Sequence, residues 1–271
     1  MSIVNKYQSV SKEMLKIFEI FEASEGEIKP HFILTGPSGA GKTFTIKSIC
    51  DKFNFNYVEV NAASLTKEGT SGNSLSKALS PLLNQEKELT IVFVDEFDKL
   101  FISGNSNSQI AHETTNGVQN EFLKVLEGDS TQVFGDYGKY LAANTSKCLF
   151  VFAGAFNGEE NITLDRLRDF GVKTEFLGRV GLLYNMEKLS LESLLEMVEN
   201  NNLLTTYLTL YPKVKRSDVV KPIKDFITSN YEQNTIGARL INTLVSQYFI
   251  RGGKLGSEDK KLTFQKTLEL K

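Results

Sequence analysis

Several residue types that define particular protein classes are scarce in this sequence. It contains two cysteines, Cys50 and Cys148, and two histidines, His31 and His112. These numbers exclude a cysteine-quartet zinc domain and a disulfide framework. Neither histidine has cysteine or carboxylate partners at metal-ligand spacing, so we assign neither a role. Two free buried thiols are typical of a reducing compartment, and we expect the cytoplasm.

Long apolar runs and an excess of charge are also missing. No apolar run approaches the ~18 residues that a membrane span needs, and residues 1–14 lack the basic-then-apolar pattern of a signal peptide. The formal net charge of −2 argues against nucleic-acid binding by bulk electrostatics. The densest basic stretch, residues 213–224, is typical of solvated charges around a helix start. We therefore expect no membrane partner and do not favour a nucleic-acid partner.

Strand and helix patterns alternate over the first two thirds of the chain. Residues 103–117 are polar and turn-rich, which predicts a surface loop. Two of the strands are apolar throughout, as expected for strands buried on both faces of a parallel sheet. The predicted strands are 31–35, 57–60, 89–94 and 148–153, with a possible hairpin over 133–141, and the predicted helices are 11–23, 42–51, one ending near residue 84, and 118–126. This order predicts an α/β fold, a parallel sheet with helices on both faces.

The pattern changes near Leu189, where helical segments become dominant. Helices are predicted over 191–200, 218–229 and 236–249, followed by a weak strand over 261–264. We therefore predict a large domain over residues 1–187 and a smaller, mostly helical domain over residues 188–271.

One motif indicates nucleotide chemistry. The pattern G-x-x-x-x-G-K-[ST] is matched by Gly36, Pro37, Ser38, Gly39, Ala40, Gly41, Lys42 and Thr43, and Phe44 follows. Glycines allow backbone N–H groups to surround a phosphate, and the next helix adds its positive N-terminal end. Lys42 is expected to reach the β- and γ-oxygens, and the Thr43 hydroxyl to bind Mg²⁺. Because a predicted strand precedes the motif and a helix follows it, we predict binding of ATP and Mg²⁺.

A second motif lies at the end of the predicted strand 89–94, where Asp95 and Glu96 follow an apolar run. At the carboxyl end of a strand beside the phosphate loop, Asp95 is expected to hold Mg²⁺ through water. Glu96 is expected to polarise the attacking water.

With these motifs the chain resembles the AAA+ ATPases, and within them the ClpX and HslU unfoldase branch. Five stretches resemble motifs of that branch, in family order, and the first of them includes Asp95 and Glu96. They are Val92-Phe-Val-Asp-Glu-Phe-Asp-Lys-Leu100, Gly117-Val-Gln-Asn-Glu-Phe-Leu-Lys-Val-Leu-Glu-Gly128, Thr145-Ser-Lys-Cys-Leu-Phe-Val-Phe-Ala-Gly-Ala-Phe156, Phe170-Gly-Val-Lys-Thr-Glu-Phe-Leu-Gly-Arg-Val180 and Thr235-Ile-Gly-Ala-Arg239. The resemblance covers about residues 30 to 250.

The resemblance implies roles for two arginines. Arg179 matches the arginine finger that enters a neighbouring subunit's ATP site, where it stabilises charge on the departing γ-phosphoryl group. Arg239 matches the second-sensor arginine, which contacts the γ-phosphate in the same subunit. The first-sensor position lacks its usual asparagine, and Asn157 is a candidate substitute.

The sequence also departs from the branch. Thr70 and Ser71, before Gly72, stand where the family places an aromatic and an aliphatic residue that grip polypeptide in the ring's pore. Only residues 158–169 separate the fourth strand from the finger motif, too few for the family's protease-docking loop. The stretch 132–140 leaves two alternatives open: Phe134, Tyr137 and Tyr140 contact a substrate, or they pack on a hairpin.

These observations predict a ClpX-like ATPase that forms a homo-oligomeric ring, a hexamer, and remodels a protein client without a partner protease. One alternative is a nucleic-acid motor or loader, for which Lys67 and Lys139 are the candidate pore residues. Another is a nucleotide-dependent assembly protein.

Overall fold

The computed structural model describes residues 12–66, 73–85, 88–101, 109–135 and 138–255, with the backbone alone for residues 109–115. The chain divides into two compact units. The first is formed by Met1–Pro37 and Gly41–Glu187, and the second by Ser38–Ala40 and Lys188–Lys271. Within the described ranges, every helix is too short or too polar to cross a bilayer.

A five-stranded parallel sheet forms the centre of the first unit. Its strands are β1 (Phe32–Thr35), β2 (Asn56–Asn61), β3 (Thr90–Asp95), β6 (Cys148–Gly154) and β7 (Leu182–Asn185). They lie in the order β2-β3-β6-β1-β7. The predicted α/β fold is confirmed, and the first four strands lie within a residue or two of their predicted bounds. Because all five strands are parallel, their carboxyl ends meet at one edge of the sheet.

Successive strand residues contribute to two separate cores, one on each face of the sheet. On one face, Phe32, Phe93 and Val151 pack against the apolar side of helices α1 (Lys12–Ala23) and α2 (Lys42–Phe53). On the other face, a second core joins the strands to α4 (Gln109–Glu127), α5 (Leu164–Phe170) and α6 (Thr174–Arg179). This two-sided burial explains why residues 91–94 of β3 and residues 148–153 of β6 are all apolar.

The prediction of a loop over residues 103–117 is wrong for residues 109–117, which form the first half of α4. Residues 109–116 contain neither proline nor glycine. Adding a residue to an existing helix costs little, so the segment can extend the helix anchored by the buried Val118, Phe122 and Val125. The first part of the predicted loop, 103–108, lies outside the described residues.

The remaining elements of the first unit are short. The predicted hairpin is confirmed as β4 (Ser130–Phe134) and β5 (Tyr140–Asn144), which pair antiparallel in a separate two-stranded sheet. The helix expected near residue 84 is α3 (Leu75–Ala78), followed by a 3₁₀ turn over Ser80–Asn84. Strand β7 was not predicted.

The described residues of the second unit form four helices, α7 (Leu191–Glu199), α8 (Asn202–Leu210), α9 (Arg216–Ser229) and α10 (Arg239–Ile250). Helix α8 was not predicted, although Asn201 caps it by accepting a hydrogen bond from Leu204 N, 2.8 Å away. Tyr207 of α8 stacks on Phe249 of α10 with ring centroids 4.6 Å apart. The weak strand predicted at 261–264 lies outside the described residues.

Candidate active site

The phosphate loop, residues 36–43, connects the end of β1 to the start of α2. Gly41 caps α2 with a φ of 92° and no side-chain cap, and a Cβ built there would meet nothing within 4 Å. Gly36 has a φ of 142°, and a Cβ there would lie 2.6 Å from the Met186 carbonyl oxygen. Both positions therefore require glycine, the first for its left-handed backbone and the second also for space. The N-terminus of α2 follows Gly41, and helix N-termini bind anions through their free amide groups.

Lys42, the first residue of α2, turns its amino group towards the start of the loop. Its Nζ donates hydrogen bonds to the carbonyl oxygens of Gly36, 2.6 Å away, and Pro37, 3.1 Å away. The Lys42 ammonium therefore lies within the phosphate loop, where we expect it to bind phosphate oxygens.

Thr43 and Asp95 bring the two predicted motifs together. Thr43 Oγ1 donates to Asp95 Oδ2 over 3.1 Å, although 52 residues separate them. Asp95 is the last residue of β3, and its other oxygen accepts a hydrogen bond from Glu96 N, 2.8 Å away. A hydroxyl and a carboxylate at hydrogen-bond distance supply the oxygen ligands that Mg²⁺ prefers, so these residues fit such an ion.

Glu96 follows directly and adopts a left-handed backbone, with a φ of 55°. Such a conformation is uncommon for a residue with a side chain, and strained residues of this kind cluster at functional sites. The residue is exposed, whereas Phe97 and Asp98 behind it are buried. The turn therefore directs the carboxylate away from the core.

Arg179 and Asn157 lie on elements that follow β6. Arg179 ends α6, and its Nη2 lies 2.7 Å from Glu127 Oε1 at the end of α4. Asn157 is exposed in the turn after β6, with a φ of 60°. That turn lies at the same edge of the sheet as Thr35 and Asp95, since β1, β3 and β6 are parallel.

In the second unit, Arg239 approaches the residues of the loop that belong to that unit. Its Nη1 lies 3.3 Å from Ser38 Oγ. Close by, Ala238 N donates to Gly39 O over 3.3 Å, and a Cβ on Gly237 would lie 2.6 Å from the same oxygen. The start of α10 and residues 38–40 thus form one contact.

The aromatic residues of the hairpin are partly exposed. Tyr140 and Leu141 keep 50% and 45% of their surface accessible. Phe134 packs edge-on against Tyr140, with centroids 5.6 Å apart, and Lys77 Nζ lies 5.5 Å from the centre of the Phe134 ring. Tyr137, Lys67 and the stretch Thr70–Gly72 lie outside the described residues.

Sequence reasoning missed one residue at this edge of the sheet. Asn185, the last residue of β7, accepts a hydrogen bond from Thr35 Oγ1 over 2.6 Å, immediately before the phosphate loop. The signal was a polar residue after a short apolar run, Leu182-Leu-Tyr, and it was missed because β7 was not predicted.

The chain is similar to known proteins along most of its length. Residues 32–168 match the model of the ATPase family associated with various cellular activities, AAA. The chain is 28% identical to the ATP-dependent Clp protease ATP-binding subunit ClpX of Porphyromonas gingivalis, over 80% of this chain and 64% of that protein. It is 25% identical to the ClpX of Borrelia duttonii, over 84% of this chain and 65% of that protein, and 26% identical to that of Treponema denticola, over 92% and 70%.

The chain thus spans a little under two thirds of the length of the first of these relatives. The family match covers the phosphate loop, the Asp95-Glu96 pair and most of α5, while the ClpX relatives cover most of the chain. The chain belongs to the AAA family of ATPases, in its ClpX-like branch.

Proposed function

We propose that this protein binds ATP with Mg²⁺ and hydrolyses it as a hexameric ring in order to remodel a protein client, without a partner protease. The observation that carries the proposal is the contact between Thr43 and Asp95, 3.1 Å apart, with Glu96 next in sequence. It supports one site that combines the phosphate loop, a pair of oxygen ligands and a carboxylate at the surface. The two free thiols, Cys50 and Cys148, agree with a place in the cytoplasm.

Each residue then has a distinct task. Backbone amides at the start of α2 and the Lys42 ammonium hold the β- and γ-phosphates. Thr43 and Asp95 hold Mg²⁺, which when bound offsets charge on the phosphate oxygens. Glu96 orients a water molecule and accepts its proton as the oxygen attacks the γ-phosphorus, so that ADP and phosphate are the products.

Two arginines complete the proposed site. Arg179 enters the ATP site of the neighbouring subunit, where its charge stabilises the transition state. Arg239 is assigned the second-sensor role, contact with the γ-phosphate in its own subunit. The resemblance to ClpX supports both roles, and Asn157 remains the candidate for the first-sensor position.

Client remodelling without a protease is proposed from the sequence of two loops. Between β6 and α6 lie only a 3₁₀ turn over Phe156–Gly158 and the short helix α5, which leaves no room for a docking loop. The hairpin presents Tyr140 and Leu141 to solvent, which supports contact with apolar side chains of a polypeptide. The net charge of −2 disfavours nucleic acid.

The decisive experiment compares Glu96→Gln with Glu22→Gln, a change at an exposed position of α1. We expect Glu96→Gln to bind ATP with natural affinity, release no phosphate and retain its protein client through a pull-down. The Glu22→Gln protein should turn over ATP normally. Phosphate release by Glu96→Gln at the natural rate would refute the assignment of the base.

Stimulation of the ATPase separates the possible clients. Unfolded polypeptide should raise the rate of the natural protein, and single- or double-stranded DNA should not. Stimulation by DNA alone would support a nucleic-acid motor, and stimulation by neither would support an assembly protein. Sedimentation with a slowly hydrolysed ATP analogue should show the ring, because ligand that binds the assembled form shifts the equilibrium towards it.

A further inference from the structure

Asn185 joins two stretches of the first unit that are far apart in sequence. Its Oδ1 accepts hydrogen bonds from Thr35 Oγ1, 2.6 Å away, and from Ile162 N, 2.8 Å away. Its Nδ2 donates to the Ile162 carbonyl oxygen over 3.0 Å. Both ends of the amide are therefore engaged, and rotating the group by 180° would break all three bonds.

The first of these stretches leads directly into the phosphate loop. Thr35 is fully buried and faces Asn185 in the β1–β7 register. Its carbonyl oxygen accepts a hydrogen bond from Met186 N over 2.8 Å. Gly36 follows, and the Met186 carbonyl oxygen leaves it no room for a Cβ. The entrance of the phosphate loop is thus fixed against the end of β7.

The second stretch leads to the proposed arginine finger. We define the finger segment as residues 162–179, which contain α5 and α6 and end at Arg179. Ile162 begins this segment and is 3% exposed. Farther along, the fully buried Gln119 donates to Gly171 O over 3.2 Å and accepts from Lys173 N over 2.9 Å. The segment is therefore held at its start by Asn185 and before α6 by Gln119.

We propose that Asn185 is a positioning residue that sets the phosphate loop of its own subunit and, through Ile162, the arginine finger offered to the neighbour. This inference rests on the proposed function, because it takes Arg179 as the finger. The physical reason is the shortness of the three bonds. A displacement of either stretch by about 1 Å would stretch them beyond the hydrogen-bond range, so the two stretches keep a fixed relation as long as the amide holds.

The position is favourable for a test because Asn185 is exposed at the edge strand of the sheet. The change Asn185→Ala removes the three bonds without opening a cavity in the core. Thr35→Val is the matched variant, since it removes only the hydroxyl and leaves both bonds between Asn185 and Ile162. Thermal unfolding of each variant checks that the fold is kept.

The experiment uses rings mixed from two kinds of subunit. Lys42→Ala subunits supply fingers but no working ATP site, and Arg179→Ala subunits supply ATP sites but no finger. Mixing them should restore hydrolysis. We expect Asn185→Ala to lower the restored rate about tenfold whether it is added to the finger donor or to the site donor. Thr35→Val should lower the rate only in the site donor.

Each contrary result has a distinct meaning. The inference would be overturned if Asn185→Ala lowered the restored rate in only one kind of subunit. It would also be overturned if Asn185→Ala and Thr35→Val affected the two kinds of subunit in the same way. No restoration in the parental mixture would count against the proposed function instead. In that case, binding of a fluorescent ADP analogue to the single Asn185→Ala protein decides: we expect about tenfold weaker binding, and unchanged binding would overturn the inference.

Discussion

Arg179 and Glu127 form an ion pair across the ends of two helices, with 2.7 Å between Nη2 and Oε1. The side chains keep 55% and 47% of their surface exposed. Exposed pairs of this kind contribute about 1 kcal/mol or less, because water and salt screen the charges. The pair is therefore weak enough to be exchanged when a stronger anion, such as a phosphate, approaches the guanidinium.

Substitutions at this ion pair distinguish two roles for Arg179, a finger for the neighbouring subunit or a partner of Glu127 within its own subunit. If Arg179 acts as a finger, Glu127→Gln should leave the melting temperature and the ATPase rate of the ring nearly unchanged. Arg179→Ala should lower the rate by about 10³ while ATP binding is kept, since fingers act in the transition state. Steady-state phosphate release gives the ATPase rate of each variant, and a nucleotide-binding assay shows whether ATP binding is kept. If Glu127→Gln reproduced the loss seen with Arg179→Ala, the role of Arg179 would lie in the ion pair itself.

Lys42 should be indispensable for nucleotide binding. Lys42→Ala removes the ammonium that lies within the phosphate loop, 2.6 Å from Gly36 O. Hydrogen bonds to charged groups contribute about 1.5–3 kcal/mol each. Loss of the two bonds that the ammonium is expected to donate to the β- and γ-phosphates should therefore weaken ATP binding about 100-fold or more. Lys47→Ala is the matched control on the same helix, where Nζ pairs with Glu59 at the surface. Isothermal titration should find binding by the control unchanged, and retained binding by Lys42→Ala would contradict the site.

The elements that sequence reasoning recovered are those whose signal is local. The phosphate loop and the acidic pair each carry a motif beside an apolar strand. In the structure the loop lies between β1 and α2, and the pair lies at the end of β3. Strand β7 has four residues, of which only Leu182, Leu183 and Tyr184 are apolar, too few for a periodicity. The role of Asn185 depends on Thr35, 150 residues away. No local pattern encodes such a pairing, and only the parallel alignment of β1 and β7 reveals it.

His31 should make the stability of the first unit dependent on pH. The side chain is buried, and Nδ1 accepts a hydrogen bond from Phe150 N over 3.1 Å. Burial, with a smaller effect of Lys29, lowers the pKa of His31 from 6.5 to about 4. The unfolded chain therefore takes up a proton near pH 6.5 that the folded chain does not accept until about pH 4. Stability from this group is complete above pH 6.5 and declines as the pH falls towards 4.

The size of this effect can be measured against a variant. Between pH 7 and pH 5 the shift corresponds to a loss of about 2 kcal/mol in the free energy of unfolding. His31→Gln, whose amide oxygen can accept the Phe150 hydrogen bond, should lose less stability over the same interval by about that amount. Urea unfolding at the two pH values gives the difference. Equal losses in both proteins would show that other groups cause the pH dependence.

The natural protein should hydrolyse ATP yet fail to unfold a stable domain. The reason is in the sequence: Thr70 and Ser71 occupy the place of the aromatic and aliphatic grip, and they lie outside the described residues. A tyrosine buries roughly 150–250 Å², which corresponds to about 4–6 kcal/mol at ~25 cal/mol per Å². Two small hydroxyl residues supply much less. Work against a stable domain requires about 5–15 kcal/mol, so a weak grip should slip.

A tagged fluorescent domain, incubated with ATP and the protein, tests this expectation. Its signal should persist, while Thr70→Tyr combined with Ser71→Val should bind unfolded chains more tightly than the natural protein does. ATP-dependent loss of fluorescence with the natural sequence would refute the prediction and direct attention to the hairpin. Alanine substitution of Phe134 and of the half-exposed Tyr140 would then decide whether the hairpin holds the client. If unfolding survived both changes, the grip would have to lie in another loop.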